Sequence, residues 1–225
     1  MARRRVIIAV ASGLLCAMVA ATPARAQTAA SARSAVASGL GVRAFGVFEW
    51  QKMAASRTFD AVTDKTTLSG VGAGAEVHRL WRNVFVRASF SQSKETGQRV
   101  FVFNNEVFKL GVPVEVSATP IELAVGWRFT PFSSRGIVPY LGGGALFLKY
   151  SETSSGDERS DQVHETYKGF AVFGGLEVPV WRHVSAGAEL GWRSANVPEP
   201  GGVLEAFDEK NLGGLAMRLM VSVRK

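Results

Sequence analysis

The chain has 225 residues, with 26 Lys and Arg against 19 Asp and Glu, a formal net charge of +7, and a single cysteine, Cys16. One cysteine excludes an internal disulfide framework. No phosphate-binding glycine loop, nucleophile elbow or metal-ligand spacing occurs, so neither a cofactor nor a metal is expected.

The first 26 residues have three parts: the basic run MARRR, the uncharged apolar run VIIAVASGLLCAMVAA, and TPARA with small residues at Ala24 and Ala26. This is the layout of a secretory signal peptide, cleaved just before Gln27. The apolar run is shorter than the ~20 residues of a spanning helix. Removing Arg3, Arg4, Arg5 and Arg25 leaves 22 basic residues against 19 acidic ones, about +3. A nucleic-acid partner is not expected, because no basic patch with interleaved aromatics remains. Residues 27–38 read as a flexible N-terminal segment and 39–225 as one folded domain.

From there the chain alternates with period two, the signature of strands whose successive side chains point to opposite faces. LGVRAFGVFEW (40–50) sets Val42, Ala44, Phe48 and Trp50 against Arg43, Phe45 and Glu49. VGAGAEVH (71–78), VFVRASFS (84–91) and IELAVGWRF (121–129) follow the same rule. IVPYLGGGALFLKY (137–150), YKGFAVFGGLEV (167–178), VSAGAELGWR (184–193) and LAMRLMVSV (215–223) complete eight strands of about ten residues. That is the length of a tilted strand crossing a bilayer. Short turns near 80–83, 130–136 and 179–183 alternate with long polar stretches at 51–69, 92–114, 151–166 and 194–210. In the second of these, Asn104-Asn105 between apolar runs suits the turn of an extra hairpin. The alternation predicts an up-and-down meander with all long loops at one end. GAGAEVHRLWRNV (72–84) and FGGLEVPVWRHV (173–184) echo one another across such turns.

Two barrels satisfy this pattern: a soluble one with apolar side chains inward, and a membrane one with them outward. The polar face favours the second. It is rich in Gly, Ala and Ser, nearly free of Lys, and suited to the narrow lumen of eight strands. It carries Glu49, Glu76, Glu122, Glu177 and Glu189 with Arg43, Arg87, Arg128, Arg193 and Arg218. Five acids and five arginines make a neutral set, which burial demands, since isolated buried charges are costly. Gly72, Gly74, Gly187 and Gly191 are expected to leave room for the arginine arms. Trp50, Tyr150 and Trp192 near the long loops, and Trp81, Trp127, Phe129, Phe132, Tyr140 and Trp181 near the short turns, read as two aromatic girdles.

At this point the chain resembles the small eight-stranded outer-membrane β-barrels, OmpX-like and OmpA-like. PYLGGGALFLKY looks like the Pro-Tyr-x-Gly-x-Gly strand openings of such barrels. The resemblance implies an all-β, antiparallel up-and-down transmembrane barrel in a Gram-negative outer membrane, porin-like, in contact with lipid and monomeric. Such barrels commonly end in an aromatic residue, whereas the last strand here reads into VSVRK, and an OmpA-type wall anchor is not expected. Some are lipid-modifying enzymes using a His and a Ser near the outer leaflet. Of the histidines, His78 and His183 lie near short turns, and no serine motif pairs with His164 in register, so no enzyme is expected. The acidic stretches 151–166 (Glu152, Asp157, Glu158, Asp161 and Glu165 against Arg159) and 197–210 (Glu199, Glu205, Asp208 and Glu209 against Lys210) suit a surface ligand or cation. The leading function is a structural or interaction barrel acting through its loops. The alternatives are a narrow pore for small solutes and, behind it, a lipid-active enzyme. Both mature termini are expected in the periplasm and the four long loops outside.

Overall fold

The computed structural model describes residues 41–103, 106–129, 136–154, 163–199 and 201–224. The signal peptide, the 27–38 segment, Phe132, Asn104-Asn105 and the Asp157–Asp161 charges lie outside the described residues. Eight antiparallel strands close on themselves in chain order: β1 Gly41–Met53, β2 Thr67–His78, β3 Val84–Phe103, β4 Glu106–Arg128, β5 Val138–Ser154, β6 Val163–Pro179, β7 Val184–Ala195 and β8 Gly214–Arg224. β1 closes the barrel against β8 from Arg43↔Arg224 to Met53↔Gly214. Closure leaves no unpaired edge around the wall.

The strands run well past ten residues: β3 has 20 and β4 has 23. The stretch 92–114, read as a long connection that suits an extra hairpin, is mostly strand, because β3 and β4 themselves extend into that hairpin. β3 and β4 remain paired as far as Phe103↔Glu106, beyond the last β4–β5 pair at Val114↔Ser154. The reason is physical: outside an apolar layer both faces of a strand meet water, so alternation stops while backbone pairing continues. The register shifts between Gln98 and Val100, opposite Gly111, whose φ of +72° suits an irregular turn of strand.

The stretch 51–69 also differs from a plain loop, because it contains α1, Ser56–Thr63. Its free N-terminal amides find an acceptor in a distant residue: the N–H groups of Arg57 and Thr58 donate to the Glu209 carboxylate at 3.1 and 2.9 Å. Asp64 ends the helix in the left-handed conformation. A single turn and a half, α2 at Gly202–Ala206, lies in the β7–β8 connection.

The outer wall is apolar from strand to strand. Val42, Phe48, Val71, Phe90, Leu123, Val125, Leu141, Phe170, Leu190, Leu219 and Val221 are all exposed. A belt of this extent far exceeds the apolar patches that water-facing monomers tolerate, and matches a hydrocarbon surround.

Candidate functional site

The inward side chains form two tiers. The first, toward the short turns, holds all ten of the Glu and Arg residues read onto the polar face. Arg193 grips Glu49 with two parallel bonds of 2.7 Å and reaches Glu122 through Nε at 2.7 Å. Arg218 touches three carboxylates: Glu49 at 2.6 Å, Glu189 at 2.9 Å, and Glu122 at 2.9 Å. Arg87 then links Glu189, at 2.5 Å, to Glu76, at 3.5 Å. Arg43 and Arg128 both bridge Glu76 and Glu177, with Arg128 at 2.9 and 2.8 Å. The ten groups therefore make one continuous, neutral chain of ion pairs across the lumen. Arg193 is 2% exposed, and the other members are buried or nearly so. Forked arginine–carboxylate contacts of this kind are the strong, geometry-specific sort.

Rings fill the space the charges leave. The Arg87 guanidinium lies within 4.6–5.3 Å of the ring centres of Phe45, Phe85, Tyr140 and Phe173, and Arg128 stacks near Phe85 and Tyr140. The inward glycines accommodate these rings and the close approach of neighbouring strands, not the arginine arms expected from sequence. A Cβ on Gly74 would stand 2.3 Å from the Phe45 ring, and one on Gly126 would stand 2.1 Å from the Phe85 ring. At Gly72 it would meet the backbone of Phe90, and at Gly191 the Phe173 side chain. Gly187 faces the end of Met220. Two voids of about 10 Å³ each lie among the charges, one beside Arg193 and Arg218 and one beside Arg43, Arg87 and Arg128, each with room for a single water at most.

The second tier, toward the long loops, is apolar. Met53, Leu68, Val116, Leu146, Leu148, Tyr150, Tyr167 and Leu212 surround Phe59 of α1, which enters the barrel mouth. The Phe59 and Tyr150 rings meet edge to face at 6.3 Å. Tyr140 and Tyr150 are thus corrected: both point into the lumen and belong to no girdle. β5 is apolar on both faces, with Tyr140, Leu146, Leu148 and Tyr150 inward and Leu141 and Phe147 outward, so its hydrophobicity did not reveal which face was which. Trp81 and Trp181 stand out from short turns at 68% and 72% exposure, and Trp192 is exposed near the long loops. Trp50, Trp127 and Phe129 are half-exposed, with Trp50 edge-on to Phe48.

His164 does have a serine in register. Ser151 pairs with it across β5 and β6, and Ser151 Oγ lies 2.9 Å from His164 Nδ1 on the exposed face. Sequence spacing hid this, because thirteen residues and a chain reversal separate the two. Among the described residues no carboxylate hydrogen-bonds this imidazole. Nor do three or more His, Cys, Asp or Glu side chains gather to hold a metal ion among them.

No curated protein matches the chain by sequence. Residues 12–202 match the outer membrane protein beta-barrel domain family. Among solved structures, Ail, the attachment invasion locus protein of Yersinia pestis, in complex with the heparin analogue sucrose octasulfate, is 11% identical. That likeness covers 82% of this chain and 99% of that one, with a TM-score of 0.50. OprG from Pseudomonas aeruginosa is 10% identical over 83% of this chain and 96% of its own, at 0.49. The N-terminal barrel domain of Pseudomonas aeruginosa OprF is 14% identical over 82% and 99%, at 0.47. At such identities the likeness is one of fold. The family match, covering most of the chain, and the closed apolar-walled barrel together make this protein a member of the outer membrane protein β-barrel domain family, a protein of the bacterial outer membrane.

Proposed function

We propose that the protein is a closed barrel: an anchor in the outer membrane whose lumen conducts nothing and whose function lies at its long-loop end. The ten-residue ion-pair chain carries this reading. It spans the lumen in a neutral arrangement, and opening a water column would strip buried charges of their partners. Eight strands enclose a space only wide enough for side chains. In this reading the leader 1–26 is removed, the barrel works as a monomer among lipid, the termini face the periplasm, and the loops meet partners outside.

Single-channel recording in planar bilayers tests the closed lumen. The refolded protein should insert without steady current. Stable, voltage-independent conductance would replace this reading with a narrow pore. A lipid-active enzyme is the second reading, favoured by the Ser151–His164 pair alone. It requires that outer-membrane lipids gain or lose an acyl chain with the wild-type protein and not with Ser151→Ala, as read by lipid mass spectrometry.

A further inference from the structure

Above the apolar tier the barrel mouth contains a cavity of about 380 Å³. This falls within the ~300–1,000 Å³ range of small-molecule sites. It lies between α1, α2 and the upper parts of β3 to β6. Its apolar wall includes Val62 of α1, Val114 of β4 and Leu204 of α2. Three carboxylates also line it, Glu152, Glu165 and Glu199, against one guanidinium, Arg99.

Register explains how the acids come together. Tyr150 pairs with Glu165 across β5 and β6, and Glu152 lies two residues farther along the same inward face. The Tyr150 hydroxyl donates to Glu152, which fixes that carboxylate over the cavity's aromatic side. Thr58 of α1 is a second and independent sign. It lines the cavity, is 5% exposed, and its Oγ1 is buried without a hydrogen-bond partner. Buried polar atoms of native proteins are almost always paired, and an unpaired one calls for explanation. A ligand carrying N–H donors would satisfy it once rotation about χ1 turns the hydroxyl toward the cavity.

We propose that this cavity binds a small organic cation, a primary amine on an aromatic or short aliphatic body. The proposal rests on the reading that function lies at the long-loop end. The apolar wall takes the body of the ligand, the surplus of carboxylate takes the ammonium, and Thr58 accepts one of its N–H groups. A bare metal ion fits less well. Valines, Leu204 and two tyrosines form about half of the lining, and among the described residues no three such ligands converge at metal-binding distance.

Phenethylamine is a suitable probe, titrated by calorimetry into the full barrel in nanodiscs of zwitterionic lipid. Phenylethanol and 3-phenylpropionate serve as its neutral and anionic counterparts. The amine should bind saturably with 1:1 stoichiometry, the alcohol at least tenfold more weakly, and the carboxylate not at all. The E152Q/E165Q variant should weaken amine binding at least tenfold, and Thr58→Val severalfold. Circular dichroism and heat-modifiable gel migration should show both variants folded. Lys94→Ala, outside the cavity, should bind as the parent does. Absence of saturable binding at millimolar amine, equal binding of all three probes, or undiminished binding by folded E152Q/E165Q would each overturn the proposal. A barrel that is silent in bilayers but binds no amine refutes this proposal alone. A conducting barrel that still binds the amine refutes the closed lumen alone.

Discussion

The two tiers inside the barrel solve the same problem with opposite chemistry. Both fill a lumen with no lasting room for water. The lower tier uses five arginines and five glutamates in one chain of contacts, and the upper uses Phe59 and a ring of aliphatic and tyrosine side chains. An ionic filling is unforgiving. Each charge has been taken out of water, so its stability depends on every partner being present. An apolar filling is graded, because losing one side chain removes contacts and leaves a void without exposing anything polar. The lower tier therefore specifies a single arrangement, whereas the upper tier can loosen locally around α1.

The largest expected effect comes from breaking the ionic tier. Arg218→Ala removes the group shared by Glu49, Glu122 and Glu189, and loss of one partner from a buried set typically costs ~3–5 kcal/mol. Urea unfolding in micelles, followed by tryptophan fluorescence, should show the whole barrel melting earlier. A midpoint equal to that of the parent would mean the contacts contribute little.

Phe59→Ala should act differently. Phenylalanine truncation in a core costs ~3–5 kcal/mol, but here the loss should fall on α1 and its neighbours. Hydrogen exchange should speed up across residues 54–66 and 196–213, while amides of the lower barrel keep their protection. Uniform acceleration through all eight strands would erase the distinction between the tiers.

The smallest effect sharpens the comparison by leaving the lumen. Lys94 and Glu115 form a 2.8 Å pair with both side chains about half exposed. Exposed pairs are worth ~0–1 kcal/mol. Lys94→Ala should therefore shift the urea midpoint within that range, and a loss comparable to Arg218→Ala would undercut burial as the cause.

How far each tier was legible in the sequence follows from the same chemistry. The ionic tier was visible because Glu and Arg on an otherwise Gly, Ala and Ser face stand out under period two, so Glu49, Glu76 and Arg193 could be placed before any contact was known. Their pairing was not visible, since partners such as Arg193 and Glu49 lie 144 residues apart. The apolar tier was hidden. Leu146 and Leu148 flank the equally apolar Phe147, and only Lys149 sets the outward face of this stretch apart from the inward one. SRTFDAVT, with Phe59 its one large apolar residue, is too short to show a helical period within a polar stretch. Glu209 caps α1 from a connection about 150 residues away, which no local pattern announces. Ser151 and His164 meet only because β5 and β6 pair in one particular register.

Water access to the middle of the ionic tier is the most direct test of the closed lumen. Ser91 is buried there, its Oγ donating to Glu49 at 3.1 Å, and Cys16 is the only cysteine of the chain. In a Cys16→Ser background, Ser91→Cys and Trp81→Cys would be treated with a charged methanethiosulfonate reagent and modification followed by mass spectrometry. The closed lumen predicts rapid modification at position 81 and modification at position 91 only after unfolding. Modification of the folded Ser91→Cys barrel at the rate seen for position 81 would contradict it.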